Sequence, residues 1–261
     1  MKRILLHLDA DAHPSAFDRI VALDAGADEV LSYGGVTPEN AVALVHGTIF
    51  TRGPQDLKHT AIFVGGSDAW EAEEVADAVS HAFFGPLRVS LLCDPNGSST
   101  TAAAAVLAAK FEGEAAVLGL GPVGSRVAAL LAEEGVTVRT YDPTPERGPN
   151  ADSVQEALDG ATAAFVCGPA GVEIATLDAL RSAGVTTAVD LNAVPPTGIA
   201  GVESQDDGED RDGVRCYGAL AIGGLKMKIH KAAIRALFES NERVLGASEA
   251  LALGEGLSRA K

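Results

Sequence analysis

Apolar residues along the chain fall into two kinds of run that alternate with one another. Short runs rich in branched residues and bounded by Gly, Asp or Pro read as buried strands. They are Arg3–Leu8, Thr60–Val64 and Leu87–Leu92 in the first part, then Ala115–Gly119, Val136–Tyr141, Ala163–Cys167 and Val185–Leu191. Longer runs repeat apolar residues at helical spacing. Asp68–Phe83 has acids in its first turn and Val75, Ala78, Val79 and Ala82 along one face. Ser99–Phe111 is a long alanine helix, Pro122–Glu134 a second helix, and Ser153–Leu158 a short one with Ser153 and Glu156 spaced as a capping box. A further helix is expected at about Glu173–Ser182. The stretch YGALAIGGLKMKIH from Tyr217 leads into an amphipathic helix reaching about Leu245, with a short helical piece after it. Strands alternating with helices in this way predict a parallel α/β architecture.

Composition narrows the function. Lys and Arg total 20 against 36 Asp and Glu, a formal net charge of −16 in 261 residues. Such a balance opposes an electrostatic grip on nucleic acid or on an anionic membrane. No run approaches the ~18–20 apolar residues that span a bilayer, and the N-terminal MKRILLHLDAD meets an acid at Asp9, too early for a secretory signal. Cys93, Cys167 and Cys216 form no C-x-x-C pattern, so a disulfide framework or zinc ribbon is not expected and a cytoplasmic location is. None of the histidines shows metal-ligand spacing, and no metal is expected. The acidic segment Glu203–Gly213 reads as a solvated surface loop.

The residues Ala115-Ala-Val-Leu-Gly119-Leu-Gly121-Pro122-Val123-Gly124 place G-x-G-x-x-G directly between a strand and a helix. Gly119 permits the tight turn, Gly121 lets a pyrophosphate approach the backbone, and Gly124 allows close helix–strand packing. Pro122 sits near the first helical position, where its missing N–H costs little. Asp142 closes the next strand, 18 residues beyond Gly124, where a carboxylate accepts from adenosine ribose hydroxyls and repels a 2′-phosphate. The expectation is a Rossmann-type dinucleotide-binding domain that prefers NAD to NADP, with Arg147 placed to rescue a phosphate. Two α/β domains follow from this. The first is residues 1–100, completed by about 226–261; residues 101–225 form the dinucleotide domain, inserted through the alanine helix around Ala102–Ala109.

Whole segments then become recognisable. LDADAHPSAFD, YGGVTPEN, HGTIFTRG, TAIFVGG, FFGPLRVS, DPNGSSTTAAAA, GLGPVGSR, DLNAVPPTGIAG and YGALAIGGLKMKIH occur in order from Leu8 onwards, with LFES ending at Ser240. In these the chain resembles the bacterial NAD(P)-dependent methylene-tetrahydromethanopterin (methylene-tetrahydrofolate) dehydrogenases of one-carbon metabolism. The resemblance implies oxidation of a methylene bridge on a reduced pterin to the methenyl cation, with hydride passing to a nicotinamide. It also implies a pterin held between two α/β domains and a homo-oligomer, trimer or hexamer. The chain departs from the pattern between Lys110 and Ala115 and after Asp142, where the dinucleotide domain is trimmed. Competing readings are another dehydrogenase of this fold, acting on a keto-acid or shikimate-like substrate, and a non-catalytic NAD(H) sensor.

Hydride loss from a carbon between two nitrogens leaves a delocalised amidinium, so the chemistry calls for alignment and for negative charge near the carbon rather than a nucleophile. Asp9, Asp11 and Asp18 follow the first strand at its carboxyl end, where ligands collect in open α/β sheets, and are the catalytic candidates. Lys226 joins them as a lysine expected to open the C-terminal helix. Pro14, Ser15 and Phe17, together with Asn96, Ser98, Thr100, Thr101 and His230, are candidate substrate contacts. Against these stand plainer roles: Ser15, Ser98 or Ser99 as helix caps and Lys226 as a solvated lysine. Gly119, Gly121, Pro122, Val123, Gly124, Asp142 and Asn192 are the candidate cofactor contacts, Asn192 for the carboxamide of the nicotinamide.

Overall fold

The structure, a computed structural model, describes residues 1–259. In chain order its elements are β1 (Ile4–Asp9), α1 (Ala16–Asp24), β2 (Glu29–Tyr33), α2 (Pro38–Ile49), β3 (Thr60–Gly65), α3 (Ala69–His81), β4 (Ser90–Cys93) and α4 (Ser98–Ala109). There follow β5 (Glu114–Leu118), α5 (Pro122–Glu133), β6 (Val138–Tyr141), α6 (Val154–Leu158), β7 (Ala161–Val166), β8 (Ala175–Thr176), α7 (Leu177–Ser182), β9 (Thr187–Asp190) and β10 (Ile199–Ala200). The last are β11 (Asp207–Arg211), β12 (Val214–Tyr217), α8 (Ala219–Ala236), β13 (Val244–Leu245) and α9 (Ala247–Arg259). No helix among the described residues is long and apolar enough to cross a membrane.

The chain divides into two compact units, Met1–Thr100 with Lys228–Leu253, and Thr101–Met227 with the segment beginning at Gly254. In the first, among the described residues, five parallel strands lie in the order β13-β4-β3-β1-β2. All six residues of β3 are buried, as expected of a parallel strand covered on both faces. One face packs Leu6, Leu8, Ile62 and Leu91 against α2 and α3; the other packs Leu5, Phe63 and Leu92 against Ala233 and Ile234 of α8 and Leu237 just after it. In the second unit the order is β11-β12-β9-β7-β5-β6, parallel except for the β11–β12 pair. Its core holds Leu118, Leu158, Val166, Leu180 and Ile199.

Several elements differ from the sequence expectation. The acidic segment is not a loop: it pairs as β11 with β12, and Asp206 is buried with a two-pronged contact to Arg211, Oδ2 to Nε at 2.6 Å and Oδ1 to Nη2 at 2.7 Å. That internal ion pair compensates for the repulsion among the neighbouring acids. The expected helix at Glu173–Ser182 is only α7, because Ala175 and Thr176 pair with Ile199 and Ala200 and Thr176 caps what remains. Helix α8 ends at Ala236, and the chain then adds β13 to the sheet edge before the 13-residue α9. The capping box at α6 is half-formed: the Ser153 hydroxyl accepts from the Glu156 N–H, but Glu156 accepts from Asp152 rather than Ser153.

Candidate functional site

In the second unit, the glycine turn has the geometry its residues require. Gly119 adopts φ +97°, a left-handed conformation that a side chain resists. A Cβ on Gly124 would fall 1.8 Å from the Gly119 carbonyl oxygen, so only glycine lets α5 approach β5 this closely. Gly121 is the N-cap of α5 with no side-chain cap and open space where a side chain would stand. Pro122 and Val123 follow as the first helical residues. Backbone N–H groups at this helix start are therefore available to an anion. Beside the turn lies a cavity of about 270 Å³ lined by Gly119, Tyr141, Asp142, Pro143, Val154 and Ile174 among others. The turn and the largely apolar cavity fit a dinucleotide's pyrophosphate and adenosine.

Asp142 is buried, and its carboxylate is engaged by the protein itself. Oδ2 accepts from the Leu120 N–H at 2.6 Å and from Arg147 Nη1 at 3.0 Å, and Oδ1 accepts from the Thr144 N–H at 2.8 Å. Burial pushes its pKa up, but these donors outweigh burial and hold it below the usual carboxylate value. The sequence reading of a carboxylate free for ribose thus changes: Asp142 first fixes the glycine turn. Arg147 stays half-exposed. Asn192 is also buried and internally satisfied, its Oδ1 accepting from Gly171 and Val194 and its Nδ2 donating to Pro196. An expected contact to the nicotinamide carboxamide has no spare group on it; it pins the loop 169–196 instead.

In the first unit, the candidate residues gather at the carboxyl end of the sheet. Asp9 ends β1, and its oxygens accept from the N–H of Asp11 at 2.9 Å and of Ser15 at 2.8 Å. Asp11 turns to the neighbouring loop and accepts from the Ser67 N–H and hydroxyl at 3.0 and 2.8 Å. Gly34 makes room for this loop, since a Cβ there would fall 2.4 Å from the Ala12 carbonyl oxygen and 2.8 Å from Pro14. Ser15 caps α1 through the Asp18 N–H, Phe17 is exposed, and Asp18 is buried.

Asp94, which follows β4, repeats the Asp9 arrangement. Its Oδ1 accepts from the N–H of Ser99 and Thr100 at 2.8 and 3.1 Å, and its Oδ2 accepts from the Thr100 hydroxyl at 2.7 Å. His230 Nδ1 lies 3.0 Å from the same Oδ2; facing a carboxylate, that nitrogen carries the proton. Thr100, Ser98 and His230 are thus buried members of the frame, with the Ser98 hydroxyl donating to the Pro95 carbonyl. This differs from their expected place among substrate contacts: an acid at a strand end outbids ligands for nearby donors. Asn96 is the exposed residue of the turn, held at φ 50°, ψ 23°, and Thr101 is half-buried.

Lys226 does not open a helix. It is the eighth residue of α8 and half-buried, so it stands two turns inside the helix rather than at its start. His7 and Asp94 were not evident as site residues in the sequence, though Asp94 carried a signal: it ends a strand, as Asp9 does.

A family model described as methylene-tetrahydromethanopterin dehydrogenase, N-terminal, matches residues 16–96. The chain is 42% identical to the bifunctional protein MdtA of Methylorubrum extorquens AM1, across 98% of this chain and 99% of that protein. It is 34% identical to the NAD(P)-dependent methylenetetrahydromethanopterin dehydrogenase of the same organism, across 93% and 94%. Among solved structures, shikimate 5-dehydrogenase from Thermus thermophilus aligns over 100% of this chain and 99% of that one with a TM-score of 0.48 at 15% identity. On relatives of this identity and coverage, the chain belongs to the methylene-tetrahydromethanopterin dehydrogenase family.

Proposed function

We propose that this protein oxidises the methylene bridge of a tetrahydromethanopterin-type substrate to the methenyl cation, with NAD(P) as hydride acceptor. The observation that carries this reading is full-length similarity to a relative of that name, 34% identical over 93% of the chain. The glycine turn and its cavity support the cofactor half. Bound there, the dinucleotide would supply a hydride acceptor; the turn's N–H groups would hold its pyrophosphate. NAD is the preferred partner in this reading, because a 2′-phosphate would meet the Asp142 charge, and Arg147 softens that preference by offsetting the same charge.

The pterin half rests on the loops after β1 and β4. Hydride loss leaves positive charge on the substrate, and the buried Asp9, Asp18 and Asp94 near the carboxyl end of that sheet are the acids assigned to offset it. Asp11, Phe17 and Asn96, the more exposed side chains there, are the contacts assigned to substrate. Lys226 is assigned an orienting role, and a homo-oligomer is the working assembly. The test is a spectrophotometric assay of NADH and NADPH formation with methylene-tetrahydromethanopterin and methylene-tetrahydrofolate in parallel. Turnover with the methanopterin substrate is expected. Dinucleotide binding without turnover of either pterin would overturn the proposal and return the chain to a keto-acid dehydrogenase or a sensor.

A further inference from the structure

Part of the lining of the cavity beside the glycine turn comes from the loop between β7 and β8, through Gly168, Pro169, Val172, Glu173 and Ile174. This loop leaves the sheet after Cys167, whose N–H donates to the Leu118 carbonyl, and is fixed again at Ile174, whose N–H donates to the Gly198 carbonyl. Between them the chain turns at Gly171, held at φ +74°, and the Val172 N–H donates to the Pro169 carbonyl at 3.3 Å. Ile174 lies over Gly168, where a Cβ would fall 2.1 Å from Ile174 Cδ1. Pro169, Ala170 and Val172 are exposed, so packing of the turn's own side chains does little to hold it.

Asn192 supplies the hold that packing does not. It is buried two residues beyond β9, and its own N–H donates to Asp190 Oδ1 at 2.9 Å, which fixes it to the strand end. Each end of its carboxamide then touches both neighbouring loops. Oδ1 accepts from the Gly171 N–H at 3.2 Å in one loop and from the Val194 N–H at 3.0 Å in the other. Nδ2 donates to the Pro169 carbonyl at 3.5 Å in the first and to the Pro196 carbonyl at 3.1 Å in the second. An amide suits this place because it carries an acceptor at one end and donors at the other; Asp would set a carboxylate oxygen against two carbonyls. All of these residues belong to the second unit.

We propose that Asn192 is a positioning residue for the adenosine half of the dinucleotide, holding the turn 169–172 in place as a wall of its cavity. This rests on the dinucleotide reading under Proposed function. A wall already ordered leaves the ligand nothing to arrange, whereas a loose one must first be fixed, and that ordering is subtracted from affinity. The role differs in kind from a contact to the nicotinamide. Loss of a nicotinamide contact would disturb hydride transfer and leave ADP-ribose binding as it was. Loss of the wall weakens ADP-ribose and NAD alike, and falls on KM rather than on kcat.

The test titrates ADP-ribose by calorimetry into the parent and Asn192→Ala, well below the lower of their two Tm values. Binding should weaken about tenfold in the variant, and in steady-state kinetics the KM for NAD should rise by a similar factor with kcat held within about threefold. Gly171→Ala reaches the same turn from the other side. A Cβ there has room, 3.7 Å from the Pro195 carbonyl oxygen, so only the left-handed φ opposes it, and ADP-ribose should bind about three- to tenfold more weakly. Because both changes act on one bond, the double variant should lose less than the product of the two. ADP-ribose affinity within about twofold of the parent in Asn192→Ala, a fall in kcat with KM unchanged, or losses that multiply in the double variant overturn the inference and leave the dinucleotide reading intact. If the parent binds neither NAD nor ADP-ribose, that reading fails and the inference falls with it. Should Asn192→Ala not fold, Gly171→Ala decides, and unchanged ADP-ribose affinity in it overturns the inference.

Discussion

Replacing Asp142 by Asn separates the two tasks this side chain performs. The carboxylate accepts from Leu120 and Thr144 backbone N–H groups and from Arg147. Asn keeps one acceptor oxygen but turns an NH2 toward the other donor, leaving a buried N–H without a partner at a cost of about 1–3 kcal/mol. The Arg147 pair adds little to that loss, because the guanidinium is half-exposed and solvent screens it. At about 2–4 °C per kcal/mol for a chain of this size, Tm should fall by several degrees. Selectivity should move the other way. With the carboxylate gone, Arg147 becomes an uncompensated cation beside the ribose, and a 2′-phosphate gains about 1–3 kcal/mol, roughly 10- to 100-fold in the NADP:NAD ratio of kcat/KM. The assay is steady-state kinetics with both dinucleotides at saturating pterin, with Tm as the folding control. A lowered Tm with a ratio unchanged within about threefold would refute the placement of the ribose beside Asp142. Arg147→Ala should shift the ratio toward NAD, and its failure to do so would remove Arg147 from the cofactor site.

Three further outcomes follow from the geometry. Gly124→Ala sets a Cβ 1.8 Å from backbone oxygen, so dinucleotide affinity measured by fluorescence titration should fall at least about 100-fold as the turn opens; near-normal affinity would show that α5 can retreat without loss. Asn96→Gly removes a left-handed strain of about 1 kcal/mol, so Tm should hold or rise while the KM for pterin increases; an unchanged KM would release Asn96 from the substrate site. Asp206 is held below the usual carboxylate pKa because Arg211 and the Glu203 N–H outweigh burial. Its stabilisation is therefore present above about pH 4 and lost as pH falls through the depressed folded value. The Tm of the parent should exceed that of Asp206→Asn at pH 7 and converge on it toward pH 3, and a pH-independent gap would show that the pair contributes no linked stability.

What the chain displays in one dimension is the part of the fold fixed by local pattern. The buried strands β3, β5 and β7 and the glycine turn are legible, because continuous apolar runs and G-x-G-x-x-G are contiguous signals. The strand β2, whose residues alternate between buried and exposed, carries no such run. Nor does β11, five residues of acid, glycine and arginine held by pairing with β12 and by the Asp206–Arg211 contact. In both, tertiary partners override composition. Helix α7 is shorter than its sequence pattern for a similar reason: Ala175 and Thr176 suit a helix, yet their N–H and C=O groups are worth more in the pair with β10. Among site residues the types are legible and the directions are not. Thr100 and His230 are chemically apt ligands, and only the fold shows that Asp94 already holds them.

The acids at strand ends share this property, and it bears on mechanism. Asp9, Asp94, Asp142 and Asp190 each end or follow a parallel strand, each is buried, and each accepts two backbone N–H groups from the segments gathered at that carboxyl end. A carboxylate is the strongest acceptor a side chain offers, so two such bonds fix a loop that no regular hydrogen-bond ladder supports. Loops held this way approach a ligand already ordered, which is what hydride transfer asks of a protein: donor and acceptor carbons aligned, with no heavy-atom bond to be made by the enzyme.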